Sequence, residues 1–95
     1  MSPLHDDMAR AVVGALGRPA RIRRGGEVWV ERVVVEPGVA EIGDGTAVEP
    51  RYRIGVPTAR VTIRPGDVVE VEGLTLTVDV IEYDDGTLRI AWARG

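Results

Sequence analysis

The sequence predicts a mainly β protein: a small β-barrel or compact sandwich of about six to seven antiparallel strands, with a short N-terminal α-helix and one long loop. Two observations carry that expectation. Sixteen of the 95 residues are Val and none is Phe, so the interior must be built mainly from β-branched side chains, whose restricted χ1 suits a pleated surface. From Ala20 onward the apolar residues recur with a period of two, broken at short intervals by Gly, Pro and Asp, as in short strands joined by tight turns. A chain of this length is expected to form one domain, 1–95, around a thin core.

The first element breaks the β pattern. Ser2-Pro3 reads as an N-cap with proline at the first helical position, and Asp6 and Asp7 follow in the first turn, where the helix dipole favours negative charge. Leu4, Met8, Ala11, Val12, Ala15 and Leu16 then recur at spacings of three and four, predicting an amphipathic helix over 3–16 that Gly17 stops and Pro19 bars from continuing. A helix this short draws most of its stability from packing on the domain or on a partner.

The β region is expected to span 20–94. Ala20 to Arg23 and Glu27 to Val35 form a hairpin about Gly25-Gly26. On the second of these strands Trp29, Val33 and Val35 alternate on one side and Val28, Val30 and Val34 on the other, so the strand is either covered on both faces or part of an interface. Residues 36–50 contain three glycines, two prolines and four acids with little alternation, which predicts a long loop. Val39, Ile42 and Val48 within it leave two readings open: a flexible connector, or a segment that orders on a neighbouring subunit.

Tyr52, Ile54 and Val56 mark a further strand, ended by Pro57. Arg64-Pro65-Gly66-Asp67 fits a type II turn and makes Asp67 a turn residue in preference to a catalytic acid. Val68 to Glu72 and Leu74 to Tyr83 follow, and a turn at Glu72-Gly73 would pair Val71 with Leu74 and Val69 with Leu76. For the last hairpin, a three-residue loop at Asp84-Asp85-Gly86 pairs Val80 with Ile90 and Val78 with Trp92, which puts the large apolar residues of both strands on one face.

No catalytic constellation emerges. His5 is the sole histidine and sits near the frayed end of the predicted helix; Asp84 and Asp85 are neighbours in a turn, where their carboxylates diverge instead of converging on a substrate. Gly25-Gly26 has no helix after it and Gly43-Asp44-Gly45 no Lys-Ser or Lys-Thr partner, so neither cradles phosphate; no cysteine is present, and Asp44 lacks the oxygen ligands a hard cation needs. The expectation is a protein that is not an enzyme and holds no cofactor or metal. All twelve basic residues are Arg within a net charge of −3, a balance that argues against a dedicated nucleic-acid binder. The one basic cluster, Arg18, Arg21, Arg23 and Arg24, reads as a solvated face, a source of salt bridges to a partner, or a nucleic-acid contact. Acids where a signal peptide would be basic, and apolar runs far below the roughly 20 residues that span a bilayer, suggest a soluble protein that stays where it is made.

The segment from Arg53 to Gly86 resembles the C-terminal half of the lambda-type head-tail joining (head completion, or stopper) proteins of tailed bacteriophages. The resemblance rests on a strand, the basic-Gly-Asp turn of Arg64 to Asp67, Val69 and Val71, Val78-Asp79, and Asp84-Asp85-Gly86, in order and without a gap over about a third of the chain. It implies a small β-barrel preceded by a helical or flexible stretch, interrupted by one long mobile loop. The role it implies is structural and without cofactor: a homo-oligomeric ring of six copies between the portal and its adaptor and the tail terminator, through whose channel packaged DNA passes without sequence-specific binding. Location in the virion at the head-tail junction, and in the host cytoplasm during assembly, is implied with it. The chain departs from the family in ending soon after its last strand, which puts tail contacts from a C-terminal extension in doubt. On this reading Val39, Glu41, Ile42, Asp44, Val48 and Glu49 contact a neighbouring subunit or line the channel, and deleting 39–47 should leave a folded monomer that no longer joins heads to tails. The rivals are a tail terminator or adaptor of the same machine, and an oligonucleotide-binding barrel.

Overall fold

The computed structural model describes residues 17–42 and 47–95, with the side chains of all but 39–42 and 47–49. The helix expected over 3–16 lies outside these residues. Six strands, β1 (Arg18–Arg24), β2 (Glu27–Ile42), β3 (Ala47–Pro57), β4 (Val68–Val71), β5 (Leu74–Asp84) and β6 (Leu88–Arg94), close into an antiparallel barrel in the order β1-β2-β3-β6-β5-β4. Closure removes the open edges of a free sheet by pairing β1 with β4 from Ala20↔Val71 to Arg23↔Val68.

Alternation decides what the barrel encloses. Ile22, Val33, Ile54, Val56, Val69, Leu76 and Val78 are buried to 1% exposure or less, and Ala91 and Ala93 complete the inner face from β6. Among the described residues no strand reaches across one end of the barrel. Residues 58–67 cross it instead and insert Val61 and Ile63 as a plug. Two arginines hold that plug by its backbone: Arg24 Nη2 donates to Thr62 O and Arg89 Nη1 to Ile63 O, each at 2.9 Å. The type II turn predicted at Arg64 to Asp67 forms here, with Asp67 N donating to Arg64 O at 3.1 Å and Gly66 at φ 93°. The turn at Glu72-Gly73 forms as well, both residues taking positive φ, and gives the expected pairs Val71↔Leu74 and Val69↔Leu76.

Two expectations fail. The long loop at 36–50 is instead a β-ladder: β2 and β3 stay paired from Val34↔Gly55 to Ile42↔Ala47, leaving only 43–46 between them outside the described residues. Pro37 and Pro50, which suggested a loop, sit where each strand has only one neighbour. β2 pairs with β1 no further than Val33 and β3 with β6 only from Tyr52, so both prolines hold edge positions, where sheets tolerate a residue without an N–H.

The register of the last hairpin also differs. Val80 faces Trp92 and Val78 faces Ala93, because irregularities between Val78 and Val80 and between Ile81 and Tyr83 each shift the pairing by a residue. The large residues of β6 therefore do not share the inner face with Val78. Ala91 and Ala93 fill it, and Leu88, Ile90 and Trp92 lie on the outer side, half-buried. Asp84 and Asp85 behave as turn formers: Gly86 N donates to Asp84 Oδ1, and Thr87 N and Leu88 N both donate to Asp85 Oδ1.

Candidate functional site

The candidate site follows from strand length. β2 has 16 residues and β3 has 11, whereas β4 has four. Past Val33 and before Tyr52 these two strands pair with each other and, among the described residues, with no other strand, so they form a two-stranded arm beyond the barrel wall. Val39, Glu41, Ile42, Val48 and Glu49 fall on this arm in the registers Val39↔Pro50, Ala40↔Glu49, Glu41↔Val48 and Ile42↔Ala47; Asp44 lies outside the described residues. Five of the six residues expected to act together are therefore adjacent in a ladder.

A tight contact fixes the arm at its base. A Cβ on Gly38 would lie 3.0 Å from Trp92 Cζ3 and 3.2 Å from Cη2, so the indole of β6 lies directly on the β2 backbone there. Arg53 stacks over the same ring at 5.8 Å from its centroid, while its guanidinium pairs with Glu82 at 2.9 Å and with Glu36 at 3.7 Å. Beneath the arm, Val35, Pro37, Tyr52, Val71 and Leu74 line a shallow cleft whose rim carries Arg18 and Glu72.

The four clustered arginines do not form one patch. They lie along β1, and three are matched by carboxylates: Arg18 with Glu72 at 2.8 Å, Arg23 with Glu70 at 2.7 Å and Arg24 with Asp67 at 2.8 Å. Arg21 is exposed and makes no ion pair among the described residues. The Arg24 and Asp67 pair differs from the others in burial, the Asp67 side chain being 3% exposed. Burial pushes this carboxyl up, but hydrogen bonds from Arg24 and from the Arg64 backbone N–H, with the charges of both arginines, outweigh it and hold the group below the ordinary carboxylate range. The same hydrogen bond raises Arg24 above its ordinary value. Arg24 also stacks on Trp29 at 5.1 Å. This pair clamps the barrel plug and lies at the opposite end from the arm.

Sequence reasoning did not find the outer apolar row Val34, Gly55, Ile90 and Tyr83, laid side by side across four strands by Val34↔Gly55, Gly55↔Ile90 and Tyr83↔Ile90. The bulges in β5 that create it leave no local residue signature. No group of three or more His, Cys, Asp or Glu arranged to hold a metal occurs among the described residues.

Comparison with curated proteins finds no significant match. A family model described as Phage Head-Tail Attachment protein matches residues 1–94. That match takes in the barrel, the arm and the N-terminal stretch together, and it assigns a structural role in the virion, as a connector between phage head and tail. The chain belongs to the phage head-tail attachment protein family.

Proposed function

We propose that this attachment protein works as a homo-oligomeric ring of six copies, seated between the portal or its adaptor and the tail terminator, with packaged DNA passing through its channel without sequence-specific contact. The arm carries this reading. A two-stranded ladder with no strand beside either edge among the described residues offers backbone N–H and C=O groups for pairing, and such edges are commonly satisfied by another chain. In a ring, each arm has a neighbouring barrel beside it. Glu41 and Glu49 bring negative charge to the arm, and where it faces the channel they repel phosphate and limit sticking of the DNA.

The chain catalyses nothing on this reading; it is folded in the host cytoplasm and becomes part of the virion when heads are completed. The register supplies a clean test. Gly38 faces Arg51, so replacing residues 39–50 by Asn-Gly closes the strands with a favoured two-residue turn and removes the arm without disturbing the barrel. The expected product folds, by circular dichroism and a cooperative melt, yet fails to convert heads and tails into infectious particles. Joining at the normal yield by the armless protein would refute the assignment.

A further inference from the structure

We propose that the ring, if formed as argued above, is held by a head-to-tail contact in which the outer face of β2, around Val28 and Val30, packs on the outer face of β5, around Val80 and Tyr83, of the next copy. The starting observation is an excess of exposed apolar surface in two places. Val28, Val30, Val80 and Tyr83 keep 48%, 58%, 53% and 47% of their surface exposed. Single exposed valines are ordinary on a protein surface, but these are not scattered. Val28 and Val30 are successive outward positions of one strand, while Val80 lies opposite Trp92 and Tyr83 opposite Ile90, both of them half-buried, on the other.

Their placement fits a ring. In the closed order β1-β2-β3-β6-β5-β4, β2 and β5 are three strands apart whichever way the barrel is followed, so the two patches face away from each other. A contact between two different patches of one surface is heterologous, and it closes into a ring when rotation alone relates the copies. Val28 and Val30 follow the turn at Gly25-Gly26, and Tyr83 precedes the turn at 85–87. Both turns lie at the plugged end of the barrel, away from the arm. Patches at the same end favour rotation without the axial offset that would build a spiral.

Charge adds direction. Beside the valines, Arg21 lies opposite Val30, and Arg60 donates from Nη1 to Val30 O at 3.3 Å; neither guanidinium makes an ion pair among the described residues. The other patch ends in the run Glu82-Tyr83-Asp84-Asp85, in which Glu82 pairs with Arg53 and Asp84 with Arg89, leaving three carboxylates against two guanidiniums. A valine face bordered by Arg21 and Arg60 thus meets a face on which carboxylates outnumber guanidiniums, a pairing that charge favours over contact of the arginine-bordered face with itself. The four residues alone fall short of the roughly 800 Å² per partner of a stable interface, and the half-buried Ile90 beside Tyr83 extends the β5 face.

The chain contains no cysteine, which allows a direct test in assembled particles. Full-length Val30→Cys, Val80→Cys and the double variant are each incorporated into heads and oxidised, and the junction is imaged in parallel. The double variant should give a ladder of disulfide-linked multimers and the single variants none. Dimers from either single variant would mean a two-fold contact and overturn the proposal. A visible ring without a ladder would overturn the surface assignment and leave the ring intact, whereas absence of a ring would remove both. As a second arm, Val30→Asp should lower joining at least about tenfold while the isolated protein keeps its melting temperature; unchanged joining counts against the β2 face.

Discussion

The buried carboxylate of Asp67 ties together three parts of the chain that are distant in sequence. It accepts from Arg24 on β1 and from the Arg64 backbone, and Arg24 in turn holds Thr62 O of the plug. Because its pKa is depressed in the folded state, the unfolded chain takes up the proton first as pH falls. The stabilisation is therefore complete above the unfolded value of about 3.9 and is lost as pH drops through the folded value. Asp67→Asn should cost about 3 kcal/mol at neutral pH, the low end for breaking a buried pair, since the Arg24 side chain keeps 27% exposure. Denaturant melts at pH 7 and pH 3 check this: the gap between wild type and variant should narrow at the lower pH. A gap that stays constant would mean that the carboxylate charge is not the cause.

At the scale of elements, the turns were legible because each is written in adjacent residues. Pro65-Gly66 and Glu72-Gly73 specify their own backbone, and the second also sets the register of the strands it joins, β4 and β5. The arm was not legible for the same reason turned around. Pro37, Gly38 and Pro50 read as breakers by local rules, and only the absence of flanking strands makes them tolerable in a ladder. The β5 and β6 register was misread because two bulges change which residues face inward, and choosing the register that gathers large side chains put Trp92 where Ala93 belongs.

This correction makes an opposite-direction prediction for neighbours on β6. Ala91→Leu adds volume to a closed core and should cost about 1 to 3 kcal/mol, whereas Ile90→Ser on the outer side should change the fold's stability by less than about 1 kcal/mol. Thermal melts of the two variants decide it. The reverse ranking would restore the register in which Ile90 faces inward.

For the whole molecule, the barrel is a closed frame from which the two-stranded arm extends. Its interior is fully apolar apart from Asp67 among the described residues, and no buried side-chain polar atom lacks a hydrogen-bond partner. A closed, satisfied core of this kind gives a rigid support for the contacts proposed for the arm and for the two valine- and tyrosine-bearing faces. Reading the fold class from valine content and period-two alternation was therefore dependable, and the family followed from the order of its turns. The arm proposed as an assembly site was harder to read, because it depends on where strands outrun their neighbours. The most direct measurement is a cryo-electron reconstruction of the head-tail junction in a particle carrying this protein. The account predicts a closed ring of six barrels at that junction, each arm against a neighbouring copy or the DNA channel; density for the protein elsewhere in the particle, or single barrels without contact between copies, would contradict it.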